Sequence, residues 1–357
     1  MKIIFVIGSL GSGGAERVVS VLANRFNKLG HQVNIITLAK DICIYPLNEG
    51  VQHLHIDTDI KLKGLSGLQK VYRLKECIKQ LNSDIVISFT AGVSIYVLLA
   101  RILLPFKIIV SERNDPNLDP KSKVLRKVRN ILYNLSDGFV FQTPDAKDYF
   151  SKKVQGRSEV IGNPVKPNLP KPFLELRSKR IVATGRLEPQ KNYPLLLETF
   201  AKFREKYPDY SLDIYGEGAL KEQLEQMSYD LDIAQSVKFK GVVDNWHEKS
   251  LDASMYILSS EYEGMPNALM EAMAIGLPCI STNCPCGGPS LLIQHEKNGL
   301  LTPVNDKNSL LNCMYYIASN QDKARVMGRY AAEEMENYSV QNISKLWLEF
   351  SRRIVGN

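Results

Sequence analysis

The strongest structural signal in the chain is SSEYEGMPNALMEAMAIGLPCIS, residues 259–281. The pattern predicts a loop that contains Glu263 and Gly264, followed by a helix for which Pro266 suits the first position. The Gly-Leu-Pro run after the helix formers is typical of a helix end. Cys279 to Ser281 is short and apolar enough for an inner strand. The stretch therefore predicts a loop, a helix and a buried strand.

The start of this predicted helix is a suitable place for an anion. A helix that begins after a glycine directs free N–H groups and its positive dipole end forward, which favours phosphate. Glu263 precedes the helix, and Glu271 lies about 7 Å along it from Pro266, at about 1.5 Å per residue. The two carboxylates are spaced so that they could contact the two ends of one ligand whose negative charge lies in the middle. A nucleotide-diphosphate sugar has that layout, with a sugar and a ribose on either side of the diphosphate. The alternative is a solvated helix with two ordinary acids, although the Ala, Met and Leu around Glu271 are unusual for a solvated face.

Length and composition indicate a globular protein of two domains. The 357 residues are too many for one ordinary core and suit two domains of about 150–200 residues. The six cysteines form no C-x-x-C pair, which favours free thiols in a reducing compartment, and the five histidines show no metal-ligand spacing. The apolar run Ile3 to Ile7 is too short for a signal peptide, and charges interrupt Val93 to Val110, so neither predicts a membrane segment.

Charge is unevenly distributed along the chain. Residues 1–162 hold 23 Lys and Arg against 14 Asp and Glu, whereas residues 163–357 hold 22 against 24. The first half therefore carries a net charge of +9 and the second a net charge of −2. We expect the first half to face an acidic partner.

The first domain opens with a buried strand at Ile3 to Ile7, a glycine loop and an amphipathic helix. Gly13 and Gly14 let backbone N–H groups approach an anion at the helix start. A dinucleotide site is a rival interpretation, but G-x-G-x-x-G is not matched because Glu16 stands three residues after Gly13. A purely structural glycine turn is the other alternative. Further strands are predicted at 33–38, 51–56, 85–88, 108–111, 138–142 and 159–161.

This alternation of strands and helices predicts a parallel, doubly wound α/β sheet. The tripeptides Asp57-Thr58-Asp59 and Asp230-Leu231-Asp232 have the D-x-D form of some metal sites. We interpret both as solvated acids, since the pattern is common.

The run SERNDP, 111–116, follows a predicted strand and so lies at the carboxyl edge of the sheet, where open α/β sheets bind ligands. Glu112 and Arg113 are candidates for contacts with an acceptor or a donor. A structural Glu–Arg pair is the alternative.

Residues 121–135, KSKVLRKVRNILYNL, predict an amphipathic helix. Lys123, Arg126 and Lys127 fall largely opposite its apolar side chains. One interpretation is a helix whose apolar side packs on the sheet and whose basic face is solvated. The other is contact of these basic residues with an anionic membrane surface or a lipid diphosphate. No aromatic interleaving or known motif supports nucleic-acid binding.

The second domain begins after a proline-rich boundary at about residue 163. Arg186 and Lys191 flank a turn at the carboxyl end of its first strand, where two cations suit a leaving diphosphate because negative charge grows there as a glycosidic bond breaks. Two further strand-to-turn segments are candidate donor contacts by position only. Their residues are Gly216, Gly218 and Val242.

Residues 263–278, E-G-M-P-N-A-L-M-E-A-M-A-x-G-x-P, resemble the E-x7-E signature of retaining glycosyltransferases of the GT-B fold, in glycosyltransferase family 4. The pattern G-R-L-x-x-x-K-N at 185–192 is similar to the diphosphate clamp of that family. The G-G-A-E-R run at 13–17 resembles its first loop, which lies against the donor phosphates and the acceptor. The resemblance covers almost the whole chain.

Two positions depart from the family pattern. Arg113 stands near the place where many relatives carry a histidine, which weakens the transfer of that histidine's role. Leu291, in a glycine loop that resembles one near the sugar phosphates, stands where relatives often carry a glutamate.

The resemblance implies two Rossmann-like domains that face each other across a cleft. Residues 1–162 would bind the acceptor and residues 163–339 the donor, with a last helix at about 340–357 that crosses back onto the first domain. The implied activity is retaining transfer of a sugar from a nucleotide-sugar, with a UDP-hexose or UDP-N-acetylhexosamine as the expected donor. The expected acceptor is a hydroxyl of a lipid-linked saccharide in bacterial surface polysaccharide or glycan assembly.

The resemblance also implies the roles of single residues. Arg186 and Lys191 would neutralise the departing diphosphate, Glu263 would orient the sugar, and Glu271 would hold the ribose. No protein nucleophile, cofactor or essential metal is expected, and we predict a cytoplasmic enzyme peripheral to the inner membrane face. The remaining expected donor contacts are Gly13, Gly14, Gly216, Gly218, Val242, Gly264, Met265, Pro266 and Asn267.

Two other classes of function stay open from the sequence. A glycoside hydrolase could use Glu263 and Glu271 as acid and base, but the cations Arg186 and Lys191 would have no purpose in it. An inactive binding module of the same fold would lack one of these four charged residues, and all four are present.

Overall fold

A computed structural model of the chain forms two compact units. The first comprises Met1–Pro164 and Val340–Asn357, and the second comprises Val165–Ser339. The D-x-D tripeptide at 57–59 lies outside the residues that the structure describes. Those residues are 1–11, 13–56, 66–102, 104, 106–173 and 175–356.

The first unit is built on a parallel sheet of seven strands, counted over the described residues, in the order β3-β2-β1-β4-β5-β6-β7. Its strands are β1 Lys2–Ile7, β2 Gln32–Thr37, β3 Val51–His55, β4 Ile85–Phe89, β5 Lys107–Ser111, β6 Gly138–Phe141 and β7 Ser158–Val160. Its helices include α1 Gly14–Lys28, α2 Ser66–Leu81, α3 Ala91–Ala100, α4 Lys123–Leu132, α5 Pro144–Asp148 and α6 Lys152–Gln155, with a 3-10 turn at Tyr133–Leu135.

The second unit repeats this plan with a parallel sheet of six described strands in the order β10-β9-β8-β11-β12-β13. Its strands are β8 Ser178–Thr184, β9 Ser211–Tyr215, β10 Val237–Phe239, β11 Ala253–Leu258, β12 Cys279–Thr282 and β13 Leu300–Thr302. Its helices are α7 Tyr193–Arg204, α8 Lys221–Asp230, α9 Trp246–Lys249, α10 Asn267–Ala274, α11 Gly288–Leu292, α12 Lys307–Ser319 and α13 Gln321–Met335, with 3-10 turns at Pro189–Lys191, Ala234–Ser236 and Glu336–Tyr338.

The central strands are continuous apolar runs because helices cover both faces of a parallel sheet. In β1, for example, the side chains from Ile3 to Val6 are fully buried. Each sheet also reverses its strand order between the first strand of the unit and the fourth, which is the doubly wound arrangement. The predicted fold class, two parallel doubly wound α/β sheets, is confirmed.

The last helix, α14 (Val340–Val355), belongs to the first unit. Trp347 is fully buried and stacks on Phe89 at the end of β4, with 5.7 Å between the ring centroids. Gly138 makes room for the helix, since a Cβ there would lie 2.9 Å from atoms of both Phe350 and Ile354. The chain therefore returns to its first unit through aromatic packing on the sheet.

Helix α4 corrects one interpretation of the sequence. Its apolar side does not pack on the sheet, because Val124 and Ile131 are each 69% exposed. The side chain of α4 that is fully buried is instead Arg129. The amphipathic pattern identified the helix and its two faces, but the apolar face is directed to solvent.

Within the part of the chain that the structure describes, no helix has both the length and the apolar character needed to cross a membrane.

Candidate functional site

Two loops of the second unit lie side by side at the carboxyl ends of neighbouring strands. Strands β8 and β11 are paired in parallel, so the loops that follow them, 185–192 and 259–266, leave the same sheet edge. Two hydrogen bonds join these loops: the Glu261 N–H donates to the Gln190 carbonyl at 2.9 Å, and the Gln190 side chain donates to the Tyr262 carbonyl at 2.8 Å. The sheet register therefore brings the predicted cation loop to the predicted carboxylate loop.

Lys191 and Glu263 meet directly at this edge. The Lys191 Nζ lies 2.6 Å from Glu263 Oε1, and the two side chains are only 15% and 9% exposed. The Ser260 hydroxyl donates to the same carboxylate oxygen at 2.6 Å. Burial, and after it the Glu263 charge, raises the pKa of the nearby Tyr193 well above its ordinary value. A largely buried cation and carboxylate are thus held in one small polar cluster.

Arg186 lies on the same loop but in a different setting. Its side chain is 67% exposed and pairs with Glu188, with 3.0 Å between Nη1 and Oε2. Glu188 was not singled out in the sequence, although it belongs to the same G-R-L-x-x-x-K-N pattern. An exposed arginine on a short loop is able to turn towards an incoming anion.

Helix α10 begins one residue later than its sequence predicted. Pro266 is the N-cap, with φ −77° and ψ 102°, and the helix runs over Asn267–Ala274 with no side-chain cap hydrogen bond. Met265 is buried in the core of the unit, so its side chain serves packing. Met265 and Asn267 therefore stay predicted donor contacts only because they lie beside the start of the helix.

Glu271 is buried one turn further along α10 and is paired with a histidine that sequence reasoning missed. His247 Nε2 lies 2.5 Å from Glu271 Oε2, and both side chains are almost fully buried. His247 belongs to the short helix α9 and packs against Trp246, with 4.2 Å between the ring centroids. The His247 contact fixes the position of a carboxylate that was predicted to hold the ribose.

The candidate glycines have packing roles that their sequence did not reveal. Gly216 has φ +141°, and a Cβ there would lie 1.9 Å from the Gly185 carbonyl oxygen. A Cβ at Gly218 would lie 2.4 Å from the Leu187 carbonyl oxygen. These glycines let the loops after β8 and β9 touch. Val242, in the next loop, is 69% exposed.

A third loop contacts the start of α10. A Cβ at Gly288 would lie 1.7 Å from the Gly264 carbonyl oxygen and 3.1 Å from Pro266 Cδ. The glycine run before α11 therefore supports the backbone of the predicted donor loop. Gly264 thus has a structural contact in addition to its predicted place beside the ligand.

Glu112, in the first unit, has structural partners. It is buried, accepts a hydrogen bond from the Tyr133 hydroxyl, and lies 3.8 Å from an Arg129 Nη1. Burial raises the pKa of Glu112 to about 7, against the lowering effects of Arg129 and Tyr133. The Glu112–Arg113 pair considered from the sequence is therefore wrong, because the arginine beside Glu112 is Arg129. Glu112 was named as a candidate for substrate contact, and that role stays a prediction.

Arg113 is half-buried as a residue, but the nitrogens of its guanidinium are shielded from solvent. Among the described residues, none accepts a hydrogen bond from its Nε, Nη1 or Nη2, and the guanidinium carbon lies 4.6 Å from the centre of the Phe89 ring. Burial lowers the pKa of Arg113 to about 9. Three unsatisfied donors at the carboxyl end of β5 are what an anionic or hydroxyl-rich ligand would need.

The remaining first-unit candidates lie in two places. At the start of α1, the Glu16 carboxylate lies where a Cβ on Gly13 would be, only 2.1 Å from that position. The anion beside Gly13 is therefore the chain's own carboxylate, and donor contacts at Gly13 and Gly14 stay predictions. On α4, Lys123 and Lys127 are exposed.

Arg126 differs from these two lysines. It is half-buried and donates to the Pro120 carbonyl at 2.7 Å and to the Lys121 carbonyl at 3.1 Å. Its side chain therefore holds the turn before α4.

The amino-acid sequence matches two family descriptions. "Glycosyltransferase Family 4" matches residues 12–169, and "Glycosyl transferases group 1" matches residues 166–334, so the two matches together run from residue 12 to residue 334. The chain belongs to glycosyltransferase family 4. It is therefore a transferase of sugars, and its two doubly wound units are those of the GT-B fold.

Relatives of this family 4 glycosyltransferase include bacterial enzymes. An uncharacterized glycosyltransferase of Haemophilus influenzae is 29% identical and covers 97% of this chain and 98% of its own. A Campylobacter jejuni enzyme is 28% identical over 98% of both chains. Its name describes an α-1,4-N-acetyl-D-galactosaminyltransferase that acts on a diphospho-undecaprenol-linked saccharide.

A solved structure shows the same fold. Anabaena HepE, crystallised in complex with UDP and glucose, superposes with a TM-score of 0.84 at 19% identity and covers 98% of each chain. At this identity the likeness concerns the fold alone.

Proposed function

We propose that this glycosyltransferase transfers a sugar from a UDP-sugar to a hydroxyl of a lipid-linked saccharide, with retention of anomeric configuration. The observation that carries the proposal is the joined pair of loops in the second unit. They hold Lys191 against Glu263 at 2.6 Å, in front of the start of α10. A cation for a diphosphate, a carboxylate for a sugar and a helix start for phosphate oxygens are thus gathered at one sheet edge.

The proposed chemistry assigns each group one task. The bond between the anomeric carbon and the diphosphate oxygen breaks, and Lys191 with Arg186 stabilises the negative charge that develops on the leaving group. The acceptor oxygen attacks on the same face, and its proton passes to the leaving diphosphate. Glu263 orients the sugar, and its pairing with Lys191 couples sugar position to diphosphate position. Neither a protein nucleophile nor a metal ion takes part in this scheme.

The nucleoside end of the donor is proposed to lie at Glu271. Its carboxylate would accept hydrogen bonds from the ribose hydroxyls, while His247 holds it in place at 2.5 Å. The proposed UDP nucleotide draws support from the UDP found in HepE. An N-acetylhexosamine draws support from the name of the Campylobacter jejuni relative.

The acceptor half of the proposal rests on charge and on that relative. The first 162 residues carry the positive excess of the chain, and a polyprenyl diphosphate is strongly anionic. The Campylobacter jejuni enzyme acts, by its name, on a saccharide linked to such a lipid. Arg113, with its three unsatisfied donors, is a proposed acceptor contact. The enzyme would then work at the inner face of a membrane that holds its acceptor.

Donor binding is tested by thermal shift with UDP-, GDP- and ADP-sugars and NAD, in the presence of EDTA. A ligand at about 100 times its dissociation constant adds about 2.7 kcal/mol of stability. One UDP-sugar should stabilise the wild type but not Arg186→Ala or Glu271→Ala. Arg325→Ala is a matched control for Arg186→Ala, because it also removes an arginine from an exposed ion pair. No shift with any nucleotide-sugar, or equal shifts in all variants, would refute the donor site.

A further inference from the structure

Helix α4 presents a continuous apolar face to solvent. Its members stand at helical spacings of three, four and seven residues, which place them on one side of a helix. Four lie on α4 and the fifth in the 3-10 turn that follows. They are Val124, Leu125, Val128, Ile131 and Leu135, with exposures from 37% to 69%.

A buried polar network holds α4 in this orientation. Arg129, fully buried on the opposite side, donates to the Asp119 carbonyl at 2.5 Å and to the Pro116 carbonyl at 3.1 Å. The same guanidinium lies 3.8 Å from Glu112 and 5.0 Å from the centre of the Phe150 ring. Rolling the helix to bury its apolar face would break these contacts and leave a buried carboxylate without its cation, which is costly. The outward apolar face is therefore a fixed feature of the unit.

Exposed lysines border the apolar face. Lys123 and Lys127 stand one turn apart, and Lys127 stands one turn before Ile131, which places it at the edge of the apolar face and not opposite it as the sequence predicted. Lysine stems can lie along an apolar surface while their charges reach a polar layer. An apolar stripe with lysines at its edge is the pattern of a helix that lies in a membrane interface.

The surface continues past α4. Ile102, just after α3, is 53% exposed, and its carbonyl accepts a hydrogen bond from Lys75 of α2 at 3.0 Å. The preceding residue, Arg101, donates to the Leu135 carbonyl and pairs with Asp137 at 2.8 Å. These contacts tie the end of α3 to the end of α4, so Ile102 extends the apolar area.

We propose that the outward face of α4, together with Ile102, docks into an anionic lipid bilayer. The apolar side chains would enter the boundary between headgroups and acyl chains, and Lys123 and Lys127 would contact acidic headgroups. A protein partner fits less well, because lysine is depleted in the cores of protein interfaces. The inference deepens the proposed function, since a lipid-linked acceptor is reached only at a membrane.

Co-sedimentation with vesicles tests the apolar part of the surface. The probes are vesicles of phosphatidylglycerol and phosphatidylethanolamine, with pure phosphatidylcholine for comparison. Val124→Asp combined with Ile131→Asp should reduce binding of the full chain to the anionic vesicles at least about tenfold, because two apolar contacts become charged. Leu176→Asp with Tyr229→Asp is the matched control, since both side chains are exposed in the second unit and the charge change is the same.

A second pair of variants tests the lysines. Lys123→Gln with Lys127→Gln should weaken binding to the anionic vesicles by about fivefold per lysine, which corresponds to about 1 kcal/mol each. The loss should fade as salt is added. Lys171→Gln with Lys249→Gln, two exposed lysines of the second unit, should bind like the wild type.

Three outcomes would overturn the docking proposal. The first is no binding of the wild type to anionic vesicles. The second is equal vesicle binding by Val124→Asp/Ile131→Asp and by the control Leu176→Asp/Tyr229→Asp. The third is a wild-type dimer on light scattering that Val124→Asp/Ile131→Asp abolishes while vesicle binding stays unchanged, which would assign the face to a second copy of the chain. Sugar transfer to a water-soluble acceptor that carries a short lipid is measured in parallel. It distinguishes failure of membrane docking from failure of the proposed function. If transfer persists in Val124→Asp/Ile131→Asp while vesicle binding is lost, α4 docks and does not catalyse. If transfer fails in every variant including the wild type, the proposed function fails and the vesicle result stands on its own.

Discussion

His247 shows how a single residue can position a carboxylate that binds substrate. It contacts Glu271 at 2.5 Å from a neighbouring helix and touches no predicted ligand atom itself. His247→Phe should therefore raise the KM for the UDP-sugar by about tenfold with a smaller change in kcat, since binding of the ribose is equal in the ground and transition states. His247→Gln, which can still donate to Glu271, should recover most of the loss.

Steady-state kinetics with varied donor concentration measures this split. A fall in kcat with unchanged KM would contradict a positioning role for His247, and so would failure of His247→Gln to recover function while the protein remains folded.

Glu112 gives the first unit a dependence on pH. Its pKa is raised from 4.5 to about 7 in the fold, mainly by burial, so the folded chain keeps a proton that the unfolded chain releases between these values. The stabilisation is present below pH about 4.5 and is lost as pH rises through about 7. Between pH 5 and 8 the wild type should lose up to about 3 kcal/mol of unfolding free energy relative to Glu112→Gln.

Urea unfolding in a Trp246→Phe background, followed through Trp347 in the same unit, measures the loss. Glu349→Gln removes an exposed carboxylate of that unit and is the control. If the difference in unfolding free energy between wild type and Glu112→Gln stays constant from pH 5 to 8, the raised pKa of Glu112 is contradicted.

At this scale the sequence indicated charged residues better than it indicated their partners. Lys191 and Glu263 were predicted from their patterns, and the sheet register brings them together. The partners of Glu271 and Glu112 were not predicted, because His247 and Arg129 stand far from them along the chain. Tertiary packing decides which distant side chain pairs with a buried acid. The periodicity of a single sequence carries no information about that pairing.

Among the elements, the contact between the α11 loop and the α10 loop is the most sensitive. Gly288→Ala would place a methyl group 1.7 Å from the Gly264 carbonyl oxygen, so one loop must move. We expect a loss of about 1–3 kcal/mol of stability and weaker binding of the UDP-sugar, because the displaced loop leads into the donor helix. Thermal denaturation and calorimetric titration measure the two effects.

Gly92→Ala provides the control for this substitution. It lies in α3, and no atom stands within 4 Å of the new methyl group, so it should be neutral or stabilising by about 0.5–1 kcal/mol. Donor binding of Gly288→Ala equal to that of Gly92→Ala would contradict the proposed contact between loop and donor site.

The elements themselves follow largely from local pattern. Alternating apolar strands and amphipathic helices predicted the first sheet, and its strand ends agree to within one or two residues. The second sheet was expected from the family resemblance, and its strands β11 and β13 were not predicted. Helix α4 is the exception in orientation, because the buried Arg129 network outweighs burial of its apolar side. Hydrophobic periodicity shows that a helix has two faces, but it does not show which face a buried charge will hold inward.

For the whole molecule, each unit contains one of the two tryptophans, so their unfolding can be followed separately. Trp347→Phe leaves Trp246 as the reporter of the second unit, and Trp246→Phe leaves Trp347 for the first. A saturating UDP-sugar should raise the unfolding midpoint reported by Trp246 and leave the Trp347 midpoint nearly unchanged, since the proposed donor residues Lys191 to Glu271 lie in the second unit. Equal shifts in both would favour donor contacts at Gly13 and Gly14 as well.

Transfer of a radiolabelled sugar to a short-chain polyprenyl-diphosphate saccharide tests the central claim most directly. Wild type, Lys191→Met and Lys202→Met are compared in EDTA, and Lys202→Met is the control because it removes a lysine from an exposed pair. The account predicts an α-linked product by NMR, a kcat/KM about 10²–10³ lower for Lys191→Met, and an unchanged value for Lys202→Met. A β-linked product, hydrolysis without transfer, or full activity of Lys191→Met would contradict it.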